Sequence, residues 1–493
     1  MTDLTWWKGW RLLCSWAVCV LGGWLLPSMG FAASLLFVTT GPITPGKFKV
    51  LSEAAAPYGI RVEAKFVEKL GVVDARLWAG HDMVLFDAPR DHIQESIAAK
   101  VNEALPALAQ AKTPVLWLHT SKPQWSHLSD DLAKRLHAYY VNGGRTNSAG
   151  FFATVAAHLA KKPWKGIAAP QVFPATAIYH PKAPSLVFAD TTSYLRWKGA
   201  PKGKPVIAVA FHQQAIAAEQ TGMIDDFIAR IEAAGAVPLA FYSPVMDNDA
   251  NTKVLAPEGK SLADVLITTQ IMLNPEGRRT EFEKLGIPVI QAMAYRKGSA
   301  DAWWNDSAGI ALMDVPFYLA QPEYAGVHDI MVAAATDSDD QLRAIPEQAD
   351  AVVGKALGLA RLARAANADK KVAIMFWNYP AGEKNLGASF MNLPTSLHST
   401  LAAMKAEGYR TEAMDAATLT RNLQRLLTPF YRPGSVAQEM EALVRDGLAE
   451  LMPLATYKTW LDTLPEERRE VWSSAVAQPE KSVLLVRRNG EAF

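Results

Sequence analysis

The stretch from Lys370 to Tyr409 reads KKVAIMFWNYPAGEKNLGASFMNLPTSLHSTLAAMKAEGY. It opens with a short apolar run, Val372 to Trp377, whose length and bounding predict a buried strand. Asn378, Pro380, Gly382, Asn385 and Gly387 then mark a turn-rich loop. Leu397, Leu401 and Met404 recur at helical spacing, and Gly408 ends the helix. Strand, long loop and helix make one α/β unit. The loop is expected at the carboxyl end of its strand, where open α/β sheets bind ligands.

The same order recurs upstream. Val206–Phe211 is an apolar run followed by a polar loop, His212–Gly222, a helix over Ile224–Ala234, Gly235 and a strand at Val237–Tyr242. Further strands are expected at Val265–Thr269 and Pro288–Ala292. Ser34–Thr40 (SLLFVTT) begins a third variation, with a helix near Gly46–Ala56, strands around Arg61–Val67, Met83–Asp87 and Val115–His119, and a helix through Ile97–Ala109. This alternation predicts an α/β fold of repeated Rossmann-like parallel units with helical linking segments. Residues 34–162 form an N-terminal α/β domain, 163–204 a connector rich in Pro and aromatics, and 205–350 a second α/β domain. Residues 351–493 form a third α/β unit with a helical extension, opened by a helix over Ala351–Asn367 and closed by a strand at Ser482–Arg488.

The 493 residues are 50% hydrophobic and 20% charged with net charge +1, a globular composition with no basic footprint for nucleic acid. Residues 1–33 read differently. Lys8 and Arg11 precede an apolar run from Leu12 to Leu26, Pro27 breaks it, and Gly30 and Ala32 stand at the spacing of a cleavage site. That is the pattern of a signal peptide, with a periplasmic or otherwise exported mature chain beginning near Ala33. The alternative is an uncleaved anchor, and membrane contact is expected only through this segment. Cys14 and Cys19 both lie inside it, so the mature chain has neither disulfide nor thiolate metal site.

Gly143–Gly150 (GGRTNSAG) is a polar loop before the helix Phe151–Leu159. Such a loop either holds an anion or caps the helix. No G-x-G-x-x-G, G-x-S-x-G or HExxH is present, which argues against a nicotinamide cofactor, a nucleophile-elbow hydrolase and a zincin.

One set of motifs resembles a known family. Ala373-x4-Asn378-Tyr379-Pro380, then Asn385-Leu386-Gly387, a Pro394-Thr395-Ser396-Leu397 helix start and Gly408-Tyr409 are similar to the large subunit of cobaltochelatase (CobN) and its relative, the H subunit of magnesium chelatase. Tyr179-His180-Pro181, with Tyr194 and Trp197 beyond it, fits the same pattern. So does Pro322-Glu323-Tyr324-Ala325-Gly326, with Ala325 where the family has Asp. At the strand end before Gln213 the family often carries Arg-x-His; this chain has His212-Gln213-Gln214. The resemblance covers roughly Ile178 to Phe493 and implies a short, exported member without the family's C-terminal half.

What the resemblance implies is a tetrapyrrole ligand and a divalent metal, cobalt or magnesium. ATP would enter only through ATPase chelatase subunits acting as partners, and a separate chain would supply the C-terminal half. Metal insertion needs a base for the pyrrole protons and ligands that pass the metal on. Glu323 is the candidate base and metal relay, against the alternative of an exposed loop carboxylate. His212, at a strand's carboxyl end, is a candidate catalytic residue and axial metal ligand, or else a hydrogen-bonded structural residue. His180 is a candidate ring contact or a brace of the connector. Asn378, Tyr379 and Asn385 suit propionates, and Trp377 and Tyr379 suit stacking on a macrocycle, unless the motif only shapes a tight loop. The competing functions are an exported tetrapyrrole- or metal-binding uptake protein and a porphyrin metal-removing protein, both without ATP-dependent chelation.

Overall fold

The computed structural model describes residues 33–41, 43–118, 121–199, 203–327, 329–338, 340–388, 391–472 and 474–493. The expected signal peptide, apart from Ala33, lies outside the described residues, as does His119 at the end of one expected strand. The chain divides into two compact units, Met1–Ala363 and Arg364–Phe493.

The first unit holds two sheets. One is built from β1 (Ala33–Thr39), β2 (Ile60–Phe66), β3 (Met83–Phe86), β4 (Val115–Trp117) and β5 (Gln124–Ser126), in the order β2-β1-β3-β4-β5. Strands β1 to β4 are parallel and β5 is antiparallel to β4. Leu35 to Val38 are apolar without alternation because both faces of a parallel sheet are covered. Successive side chains still point to opposite faces. Leu35 and Phe37 pack with Leu132, Leu136 and Phe151, whereas Leu36 and Val38 pack with Ile93, Ile97 and Val101.

The other sheet contains β6 (Ala177–Tyr179), β7 (Val187–Phe188), β8 (Val206–Phe211), β9 (Val237–Tyr242), β10 (Val265–Thr268), β11 (Val289–Tyr295), β12 (Asp329–Thr336) and β13 (Leu342–Ala344). Its order is β13-β12-β11-β10-β8-β9-β6-β7. Strands β8 to β12 are parallel, and β6, β7 and β13 are antiparallel additions at the two sides. The helix Gly222–Ala233 buries Met223, Ile224, Phe227, Ile228 and Ile231, one apolar stripe laid on the sheet.

Two local expectations change. Residues 163–204, expected as a connector, supply β6, β7 and the helix Thr191–Lys198. Gly143–Gly150, expected as a loop, is helical from Arg145, because the positive φ of Gly143 and Gly144 completes the turn within two residues. Buried Asn147 donates to Gly143 O and Gln171 O, both at 2.8 Å, and so braces this turn rather than facing a ligand.

Both sheets place their second strand outside their first and their third on the other side, as β2-β1-β3-β4 and β9-β8-β10-β11-β12. The direction of winding therefore reverses between β1 and β3 and again between β8 and β10. At such switch points the loops leave the carboxyl ends in opposite directions and open a crevice.

The second unit contains the helices Leu393–Ala406, Ala416–Tyr431, Val436–Arg445 and Leu454–Asp462 and two short hairpins, Gly387–Ala388 with Met391–Asn392 and Arg487–Arg488 with Glu491–Ala492. Met440, Leu443 and Val486 form a small core. The third α/β unit is not met: among the described residues 364–493 carry no parallel sheet. Val372–Trp377 is irregular and open to solvent, with Met375 93% and Trp377 77% exposed. An apolar run becomes a strand only where neighbouring strands take its N–H and C=O groups, and among the described residues none does so here. The expected strand at Ser482–Arg488 shrinks to Arg487–Arg488. The expected helix Ala351–Asn367 runs instead over Pro346–Arg364, with Ala349, Val352, Val353, Ala356 and Ala360 packed on the second sheet.

Candidate functional site

The two switch points of the first unit are held face to face. Gly143 ends the helix Asp130–Asn142, which returns to the carboxyl edge of the first sheet. It lies so near the loop after β8 that a Cβ would fall 2.3 Å from Ala217 Cα. Ser148 Oγ donates to Glu219 Oε1 at 2.8 Å. On the other side Gln341 Nε2 donates to Gly46 O at 2.7 Å, and Gln220 Nε2 donates to Gln341 Oε1 at 2.7 Å. Each of these residues follows the carboxyl end of a parallel strand or lies on that edge. Those edges therefore meet.

On the first sheet's side, Lys47 Nζ meets Asp87 Oδ2 at 2.8 Å, and Tyr140 OH donates to the same oxygen at 2.9 Å; all three are buried. Burial, then the Asp87 charge, pushes the Tyr140 hydroxyl well above its ordinary value, so it remains a donor. The pair neutralises itself beneath the switch point. Thr40, just past β1, is 3% exposed, and its Oγ1 has no hydrogen-bond partner among the described residues. Arg90, three residues beyond Asp87, is exposed, and its guanidinium has no partner among the described residues. It directly precedes the helix Asp91–Val101, which covers the face to which Val38 and Thr40 belong.

On the second sheet's side, the floor is a buried amide network. Gln270 Nε2 donates to Phe211 O at 2.8 Å and to Ser243 O at 3.1 Å, and Gln291 Nε2 donates to Gln270 O at 3.1 Å. This fixes the backbone at the end of β8, directly before His212. The His212 ring keeps open surface, yet it stands among enough protein that its charged form is poorly solvated. Burial, and then the charge of Arg90, lowers its pKa below the usual histidine value. The backbone N–H of Gln214 donates to His212 Nδ1 at 3.0 Å. In the neutral ring Nε2 then carries the hydrogen. In this arrangement the free nitrogen presents an N–H, and metal ligation there would require the other tautomer.

Within the first unit, Glu323 and His180 do not join His212. Glu323 is exposed on the helix Gln321–Tyr324, which leads into the amino end of β12. His212 follows the carboxyl end of a parallel strand. The two residues thus lie towards opposite ends of parallel strands. His180 is 1% exposed, its Nε2 is 3.1 Å from Glu232 Oε1, and its Nδ1 accepts from Lys182 N at 3.1 Å. With both nitrogens engaged it braces β6 and is closed to a ring.

Asn378, Tyr379, Asn385 and Trp377 belong to the second unit. Asn378 Nδ2 donates to Gly382 O at 3.1 Å and Asn385 O at 2.6 Å, while its Oδ1 accepts from Gly382 N and Tyr431 OH. Asn385 Nδ2 donates to Pro380 O at 3.0 Å and Ala381 O at 3.2 Å. Both amides therefore shape the loop around Tyr379 and Pro380, whereas the Trp377 and Tyr379 rings are exposed. Thr40, Arg90 and the Gln270–Gln291 floor were missed in the sequence. Their common signal, a place just beyond an apolar strand, has meaning only once the strand order is known.

The strand orders define an α/β protein of the doubly wound class, with two facing switch points. The chain belongs to the CobN/Magnesium Chelatase family, whose model matches residues 137–492. It is 25% identical over 375 residues to the aerobic cobaltochelatase subunit CobN of Pseudomonas aeruginosa, covering 73% of this chain and 29% of that protein. It is 24% identical over 267 residues to the chloroplastic magnesium-chelatase subunit ChlH of Oryza sativa, covering 50% of this chain and 19% of the relative. The solved catalytic subunit of cobaltochelatase from Mycobacterium tuberculosis shares the fold with a TM-score of 0.64 and 20% identity, over 94% of this chain and 37% of that one. This chain thus spans less than a third of the length of these two relatives.

Proposed function

We propose that this protein is a chelatase large-subunit-like protein that binds a tetrapyrrole and takes part in handling its metal, cobalt or magnesium. Family membership supports the ligand class. The observation that carries the placement is the facing of the two switch points, with Arg90 on one side and His212 on the other. A macrocycle is flat and apolar with carboxylates on its rim. Donors at the facing strand ends suit the carboxylates on that rim.

The chemistry at these strand ends is binding chemistry. Metal insertion needs a base to accept two pyrrole protons. His212 offers a hydrogen at Nε2, and Glu323 lies towards the opposite strand ends. These two facts favour a second reading: the chain holds and orients the ring, and the metal step draws on ATPase partner subunits or on a further polypeptide corresponding to the rest of the longer relatives.

An absorption titration of the purified chain with a porphyrin and with a corrinoid, each with and without Co2+ or Mg2+, tests both readings. Saturable shifts of the ring's bands are expected, with no metal uptake by the chain alone. No spectral change with any ring would end the proposal. Metal insertion by the chain alone would remove the second reading.

A further inference from the structure

We infer that the run Val372–Trp377 is an unpaired strand whose partner is the same run of a second copy of this chain. The two runs pair antiparallel about Ile374 and join the second units of two chains in a dimer.

Sequence and surroundings conflict at this run. Its six consecutive apolar residues have the composition of a buried strand. Its backbone also runs as a strand does, from Lys371 to Tyr379 without a turn or bend. Yet Lys371 to Trp377 are all exposed. Among the described residues, no backbone N–H or C=O of Val372–Phe376 has a hydrogen-bond partner. A bare edge of this kind is a template for another strand. The apolar surface continues beside it. Tyr379 is exposed, and Tyr431 OH donates to Asn378 Oδ1 and accepts from Gly382 N, which brings the exposed Tyr431 ring to the same place. At about 150–250 Å2 for a large side chain, the exposed fractions of the run, Tyr379 and Tyr431 come to roughly 800 Å2, what one partner gives to a standard interface.

A copy of the run matches it in length and in its free groups. Those groups are centred on Ile374. The antiparallel register that pairs all of them sets Ile374 opposite itself, Ala373 opposite Met375 and Val372 opposite Phe376. A two-fold axis through Ile374 generates this register, so the contact is isologous and closes at two chains. Its pairs set a small residue beside a large one and a β-branched residue beside an aromatic one. Residues from Val372 to Tyr379 carry no charge, and Lys371 falls opposite Trp377 rather than another lysine. No like charges meet, and a cation against an indole is favourable. Pro380 has no N–H and ends the pairing. A two-stranded pair is marginal by itself, so the association is reversible and concentration-dependent.

Sedimentation equilibrium of the purified chain over a range of concentrations tests this, with a monomer–dimer equilibrium expected. Ile374→Lys and Ile374→Glu each set a like charge opposite itself and should each weaken dimerisation roughly tenfold or more. Mixed in equal amounts, the two variants should associate about fivefold or more tightly than either alone, because lysine then faces glutamate. Ile374 is 45% exposed, so both variants are expected to fold, and matching thermal transitions at dilution verify this. In the parent, amide exchange over Val372–Phe376 should slow as concentration rises, a readout that needs no variant. A parent that stays monomeric at every concentration overturns the inference and leaves the run to a polypeptide of different sequence. A dimer unchanged by Ile374→Lys, or a mixture no tighter than its components, places the contact elsewhere and overturns it as well. None of these outcomes involves a ring, so they stand apart from the fate of the tetrapyrrole reading.

Discussion

Asn378 and Asn385 are the kind of side chain that recognises a ligand carboxylate, and here they are spent on their own loop. Every hydrogen-bonding position of the Asn378 amide has a partner. Removing it takes a partner from three backbone groups, of which Asn385 O has no other among the described residues. Asn378→Ala is therefore expected to cost about 1–3 kcal/mol, by the usual penalty for unmade hydrogen bonds. Trp377→Ala, one residue earlier and mostly in water, should change stability by no more than about 0.5 kcal/mol. Urea denaturation of both variants decides the matter. A silent Asn378→Ala would mean that the loop is held by Tyr431 and the prolyl turn instead, and a costly Trp377→Ala would mean that the indole is covered.

Two apolar runs of equal length, Val206–Phe211 and Val372–Trp377, have opposite fates. The first lies between β9 and β10 and is wholly buried; the second has no strand beside it among the described residues and is exposed. Composition is alike in the two, so lateral partners make the difference. Other elements are joined by charge. Glu232, on the helix Gly222–Ala233, ties His180 at the end of β6 to Lys198 at the end of the helix Thr191–Lys198. Burial alone raises the Glu232 carboxyl, but hydrogen bonds from Lys198 and His180 outweigh it and bring its pKa down to about 2. A carboxyl held below its unfolded value of about 4.3 contributes its full stabilisation above that pH and loses it as pH falls towards 2. The urea midpoint of the parent is expected to fall between pH 5 and pH 3 by more than that of Glu232→Gln. Parallel curves would show that the ion pairs are spent on solvent.

The meeting of the two sheets depends on a contact that no single element dictates. Gly143 has φ +64° and meets the backbone of Ala217, from a segment more than seventy residues away in the chain. Gly143→Ala adds a methyl group where only backbone atoms can give way. It is expected to cost at least about 1 kcal/mol, since both the positive φ and the space oppose it. The loop carrying His212 should shift with it, so ring binding should weaken in the same variant. Denaturation and absorption titration together check this. A variant with parental stability and parental binding would show that the loop after β8 is not seated on the first sheet.

Much of the architecture was legible before any coordinates. Apolar runs at Leu35–Val38, Val206–Phe211, Val265–Thr268 and Val289–Ala292, separated by amphipathic stretches, dictate covered parallel strands, because period and polarity are encoded locally. The chelatase motifs around Asn378 were legible in the same way. The functions of single side chains were not. Whether His212 offers a lone pair or a hydrogen turns on a backbone N–H two residues on. Whether Arg90 is spent or free turns on which neighbours claim the nearby acids. Whether His212 and Glu323 share a site turns on which ends of the strands they occupy. Strand order and facing edges arise from contacts between distant segments, and no local pattern records these. For the same reason Val372–Trp377, a strand by every local measure, is none in the folded chain: a strand is completed by its neighbours, and only the tertiary structure says who they are.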